Sequence, residues 1–164
     1  MGIEFIATMK NIEVKPTVLY LDDDASNLDS FTANFRKQFT ILTADSPIEA
    51  YNMLADGGID IVVVDQNMPS MSGLEFLETV ATDFPEVQRI LITAYAELIS
   101  VVEAVNKGRI YRVITKPFNT EEIRTLLVDA YEQIKSKFEK DHLIDALKKQ
   151  NQQFEFLLRQ RLLS

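Results

Sequence analysis

The feature that most constrains this chain is an alternation. Five short apolar runs, "TVLYLD", "FTILTA", "DIVVVD", "VQRILIT" and "IYRVIT", are separated by segments of helical spacing. Leu28, Phe31 and Phe35 share one helical face, and Leu74, Leu77, Ala81 and Phe84 share another. Leu98, Val101, Val102 and Val105 mark a helix that stops near Gly108. Ser46 and Pro47 form a helix start, Gly57 and Gly58 its stop, and Asn119 or Thr120 caps the last helix. Val62, Val63 and Val64 leave the third run no polar face, as expected of a strand buried on both sides. Strand and helix alternating in this way predict a doubly wound α/β domain, a five-stranded parallel sheet with helices on both faces.

In such sheets ligands bind beyond the carboxyl ends of the strands. Asp22, Asp23, Asp24, Asp65, Thr93 and Lys116 all stand at or just past a predicted strand end, so the topology gathers them on one edge. Each has an ordinary reading by itself: a charged helix start, a turn cap, a strand-end threonine, a surface lysine. Together they form a set for phosphoryl chemistry. Crowded carboxylates repel one another, and a divalent cation relieves the repulsion; Mg²⁺ takes oxygen ligands and keeps several waters. A carboxylate can attack phosphorus, a cation and an ammonium can neutralise the transferred oxygens, and a hydroxyl can hydrogen-bond the product.

The 164 residues carry a formal net charge of -8, which disfavours nucleic acid or an anionic lipid surface as partner. There is no cysteine, hence no disulfide or thiolate metal site, which fits a reducing, cytoplasmic setting. No apolar run is long enough for a membrane span. Residues 1–16 read as an N-terminal arm without the features of a secretory signal.

The pattern resembles the receiver domain of two-component response regulators over residues 17–131. The resemblance rests on Asp22-Asp23 in "YLDDD", Asp65 in "VVVDQNMPSMSG", Thr93 in "LITAYA" and Lys116 in "ITKPF". It implies a flavodoxin-like strand order of 2-1-3-4-5. It also implies Asp65 as phosphoacceptor, with Mg²⁺ held by Asp22, Asp23, Asp65 and the backbone carbonyl of Asn67. Thr93, Lys116 and the backbone of Ala94 would contact the phosphoryl group. Met68, Pro69 and Gly73 match the loop that shapes the pocket, and the Lys116-Pro117 bond is expected to be cis. The family's aromatic residue three positions before the lysine is replaced here by Val113, so the usual threonine–aromatic coupling lacks its aromatic partner. Tyr111 precedes it on the same strand parity. Tyr95 and Asn67 stand where the family tunes access of water, and a bulky Tyr95 is expected to shield the phosphoryl group. The implied donor is a sensor histidine kinase or phosphotransfer protein. The implied chemistry is phosphorylation and dephosphorylation of Asp65 itself, not turnover of an external substrate.

Two rivals remain. A phosphorylation-independent pseudo-receiver, acting as a scaffold, is kept open by Val113. A haloacid-type phosphatase needs a second aspartate two residues after its nucleophile, where Asn67 stands.

From Tyr131 on, 34 residues contain no Pro or Gly and carry seven basic and five acidic side chains, a net charge of +2. The first 130 residues therefore carry -10. Residues 132–164 read as a helical tail. Tyr131, Ile134 and Phe138 form one stripe, and Leu147, Asn151, Phe154 and Leu158, led by Ile144, form another at heptad spacing. A helix of this kind rarely folds unsupported, which points to a homodimeric coiled coil or a link to an output domain. "RQRLLS" ends within the pattern, so a longer regulator is expected. The single histidine, His142, lies in this tail and has no second histidine to make a metal site.

Overall fold

The structure is a computed structural model that describes residues 15–164. All of the expected N-terminal arm except Lys15 and Pro16 lies outside the described residues. Five strands, β1 (Thr17–Leu21), β2 (Thr40–Ala44), β3 (Ile61–Asp65), β4 (Gln88–Ala94) and β5 (Arg112–Lys116), form a parallel sheet in the order β2-β1-β3-β4-β5. Between them run α1 (Ala25–Phe35), α2 (Pro47–Asp56), α3 (Gly73–Asp83) and α4 (Leu98–Asn106), with a 3-10 turn at Tyr95–Glu97 leading into α4. The last helix, α5, spans Thr120–Leu163. The expected fold class and strand order are those observed.

The two sheet faces follow the period of two along each strand. Leu19, Leu21, Val62, Val64 and Leu91 pack with Ala50, Leu54, Phe76, Leu77, Val80, Val101 and Ala104 of α2, α3 and α4. The alternate residues, including Val18, Tyr20, Val63, Ile90, Ile92 and Ile114, are buried as well, as are Phe31 and Phe35 of α1 and Ile123 and Leu127 of α5. All five residues of β3 are buried, which explains its uninterrupted apolar composition.

Local signals set the ends. Ser46 Oγ accepts from Glu49 N–H at 3.3 Å, and Pro47 occupies the first turn of α2. Asn119 Oδ1 accepts from Glu122 N–H at 2.9 Å at the start of α5. One strand starts later than its apolar run suggests. β5 begins at Arg112 because Ile110 is a buried plug following Gly108, whose φ of 71° turns the chain.

Compactness divides the chain between Ala130 and Tyr131. The second unit, Tyr131–Ser164, is helical through Leu163, and from Lys135 every residue is exposed, Phe138, Leu147, Phe154 and Leu158 included. Among the described residues no helix is long and apolar enough to cross a membrane.

Candidate functional site

Three polar side chains are buried among the described residues, Asp22, Asp65 and Thr93, and all three lie at the carboxyl edge of the sheet. Asp65 is the last residue of β3, paired in register with Ile92 of β4. Its position is fixed from behind by Gly73. A Cβ on Gly73 would stand 2.6 Å from the Asp65 carbonyl oxygen and 2.8 Å from Leu91 Cδ1. Only glycine lets α3 start so close to this strand end. Gln66 secures the same turn, its Oε1 accepting from Leu74 N–H at 2.8 Å.

The Asp65 carboxylate is incompletely satisfied. Oδ2 accepts from Asn67 N–H at 3.1 Å. Oδ1 is buried without a hydrogen-bond donor in line, although Lys116 Nζ lies 2.6 Å away. The lysine therefore holds Oδ1 chiefly as an ion pair. Burial pushes the Asp65 carboxyl above its usual range; the Lys116 ammonium pulls it back, and Asp22 adds to the rise. Lys116 itself is 42% exposed, so its head is free to follow a ligand. The Lys116-Pro117 bond is cis.

Asp22 is clamped by its neighbours. Tyr20 Oη donates to Oδ2 at 2.7 Å, Asn27 Nδ2 donates to the same oxygen at 3.0 Å, and Asp24 N–H donates to Oδ1 at 2.9 Å. Tyr20 is held in turn by stacking on Phe31, with centroids 4.3 Å apart. Burial and the adjacent Asp22 carboxylate push the Tyr20 phenol upward, keeping it a donor. Asp23 is exposed at the rim. Asp24 caps α1, accepting from Ser26 N–H at 2.8 Å, which accounts for the third acid of the run.

Thr93 is 1% exposed, and its Oγ1 donates to Glu97 Oε2 at 3.1 Å. Ala94 ends β4 opposite Lys116 of β5. Asn67 and Pro69 are exposed, and Met68 packs against the core. Tyr95 is 77% exposed in this structure. Val113 packs partly buried against the core beside Leu91. Tyr111 precedes β5 rather than lying within it, its N–H donating to Arg89 O at 2.7 Å and its ring under the Arg112 guanidinium. Tyr20, Asn27, Gln66 and Glu97 are the residues of this edge that the sequence reading did not single out.

Among the described residues no three acidic or histidine side chains converge as a ready-made cage. An oxygen donor set of Asp22 and Asp65, with an under-satisfied buried Oδ1, fits a cation that keeps waters and takes few protein ligands, as Mg²⁺ does.

The family model for the response regulator receiver domain matches residues 18–128. The chain belongs to the response regulator receiver family. This receiver is 34% identical over 102 residues to the hydrogenase transcriptional regulatory protein HoxA of Cupriavidus necator, covering 62% of this chain and 21% of that protein. It thus spans about a fifth of the length of that relative. Among solved structures it is similar to the signal receiver domain of an HD domain-containing protein from Pseudomonas fluorescens. The identity is 28%, the TM-score 0.70, and the coverage 76% of this chain and 93% of that one. It is also similar to an adenylate cyclase from Rhodopirellula baltica, at 26% identity and a TM-score of 0.77, covering 80% of this chain and 98% of that one.

Proposed function

We propose that this receiver accepts a phosphoryl group onto Asp65 from the phosphohistidine of a sensor kinase or phosphotransfer protein. The observation that carries this reading is the buried Asp65 carboxylate whose Oδ1 faces Lys116 without a hydrogen-bond donor in line. In the transfer a carboxylate oxygen bonds phosphorus as the phosphorus–nitrogen bond breaks; the imidazole leaves with the electron pair and takes up a proton.

Lys116 neutralises charge on the transferred oxygens, and Thr93 and the Ala94 backbone contact them in the product. Asp22, Asp23, Asp65 and the Asn67 carbonyl would hold Mg²⁺. When bound, Mg²⁺ supplies charge neutralisation at the phosphoryl oxygens. The Tyr20 and Asn27 donors keep Asp22 oriented toward that task. Asn67 at the second position after the nucleophile speaks against a phosphatase of the haloacid type. The complete acidic set with Lys116 speaks against a pseudo-receiver. The family relationship and the acidic, cysteine-free composition support a cytoplasmic signalling role without nucleic-acid contact from this chain.

The test is incubation with acetyl phosphate and Mg²⁺ followed by intact mass. A gain of one phosphoryl group, lost in Asp65→Asn, is expected; an unmodified wild-type protein contradicts the reading.

The tail beyond Tyr131 carries the response onward as a homodimeric helix pair or a link to an output domain. Its apolar stripes, exposed from Phe138 to Leu158, support this. Comparing the oligomer size of the full chain with one ending at Lys135 tests it, and equal sizes count against dimerisation through the tail.

A further inference from the structure

Thr93 is a buried hydroxyl at the phosphoryl edge, and a hydroxyl has one proton to donate. In this structure that proton is committed, with Thr93 Oγ1 donating to Glu97 Oε2 at 3.1 Å. A hydroxyl held this way cannot donate to an oxygen on Asp65. Glu97 is also the N-cap residue of α4, yet its side chain makes no capping hydrogen bond there. Its backbone is tied to the first turn of that helix, Ser100 Oγ donating to Glu97 O at 2.6 Å. One carboxylate thus stands between the Thr93 hydroxyl and the amino end of α4, where its side chain makes no capping hydrogen bond.

We infer that Glu97 is a positioning residue that latches Thr93 in the unphosphorylated receiver. The inference rests on the phosphoacceptor reading of Asp65. A phosphoryl group on Asp65 offers Thr93 a more strongly charged acceptor and repels the Glu97 carboxylate. Thr93 turns to the phosphoryl oxygen, and Glu97 is released. Its negative charge then finds the positive end of α4, where a carboxylate is favourable. The latch therefore links the chemistry at Asp65 to the order of the first turn of α4 without an aromatic residue at Val113. It opposes activation, and removing it favours the activated arrangement.

The experiment compares wild type, Glu97→Ala, Glu97→Gln and Thr93→Val in two ways. The first is the affinity for beryllofluoride with Mg²⁺, followed by NMR. Glu97→Ala is expected to tighten binding about three- to tenfold, the range of one net hydrogen bond. Glu97→Gln, which keeps an accepting oxygen, is expected to tighten it less. In the Thr93→Val background Glu97→Ala is expected to tighten it clearly less, leaving only the relief of charge repulsion. The second readout needs no phosphoryl mimic: the Thr93 χ1 couplings of the ligand-free protein should report one rotamer in wild type and averaging in Glu97→Ala. Unchanged affinity in Glu97→Ala, equal tightening in the Thr93→Val background, or an already averaged rotamer in wild type would overturn the latch. Failure of wild type to bind beryllofluoride at all would instead sink the phosphoacceptor reading, and the rotamer measurement would still judge the latch.

Discussion

The two ends of the sheet treat a charged side chain in opposite ways. At the amino edge Arg89 of β4 makes four hydrogen bonds with its five N–H groups. Its Nε donates to Arg109 O at 2.7 Å, Nη1 to Val87 O at 2.8 Å and Pro85 O at 3.2 Å, and Nη2 to Gly108 O at 3.1 Å. Among the described residues it forms no ion pair with a carboxylate. Four carbonyls tie the loops before β4 and before β5 to one guanidinium, whose fork geometry suits the task. Partial burial and neighbouring Arg109 lower its hold on the proton, but not enough to discharge an arginine. At the carboxyl edge Asp65 is more deeply buried and keeps an oxygen without an aligned donor. A charge held by four fixed carbonyls serves the fold, whereas a buried one short of hydrogen bonds is poised for a ligand.

This contrast can be broken by substitution. The largest stability effect is expected for Arg89→Met, which leaves four carbonyls without their donor and should lower unfolding free energy by ~2–3 kcal/mol. Acetyl-phosphate labelling of the folded fraction should persist. A variant as stable as wild type in urea melts would mean that the amino edge does not depend on the guanidinium. Next comes Gly73→Ala, whose Cβ meets the Asp65 carbonyl at 2.6 Å and Leu91 at 2.8 Å. Backbone displacement at such a contact should cost ~2 kcal/mol and slow labelling of Asp65. Unaltered labelling kinetics would separate the glycine from the site. The smallest effect has the opposite sign. Because burial disfavours the ionised Asp65, Asp65→Asn should stabilise the protein by about 1 kcal/mol in thermal melts without Mg²⁺. A loss of stability would show that the carboxylate, like the arginine, is structural.

Much of this architecture is legible in the sequence because burial on both faces leaves a strand no polar option. Val62, Val63 and Val64 announce a central parallel strand, and the topology then puts Asp22, Asp65, Thr93 and Lys116 on one edge. Ser46, Pro47 and Gly57 mark α2 because capping is local chemistry. Tyr20 could have been found as well, since a strand's period of two gives it the same face as Asp22. Glu97 could not, because it contacts Thr93 through a 3-10 turn that carries no periodic signal. Arg89 reads as a surface charge in a strand, and its most distant partners lie 19 and 20 residues away, beyond α4. β5 starts two residues into its apolar run because Ile110 is apolar for a different reason, buried just after the turn at Gly108.

The most direct test of the central claim is to trap the acyl phosphate. Wild-type protein treated with acetyl phosphate and Mg²⁺ is reduced with borohydride, digested and sequenced by mass spectrometry. The account predicts homoserine at position 65 and nowhere else. Reduction at another aspartate, or phosphate found only on His142, would contradict it.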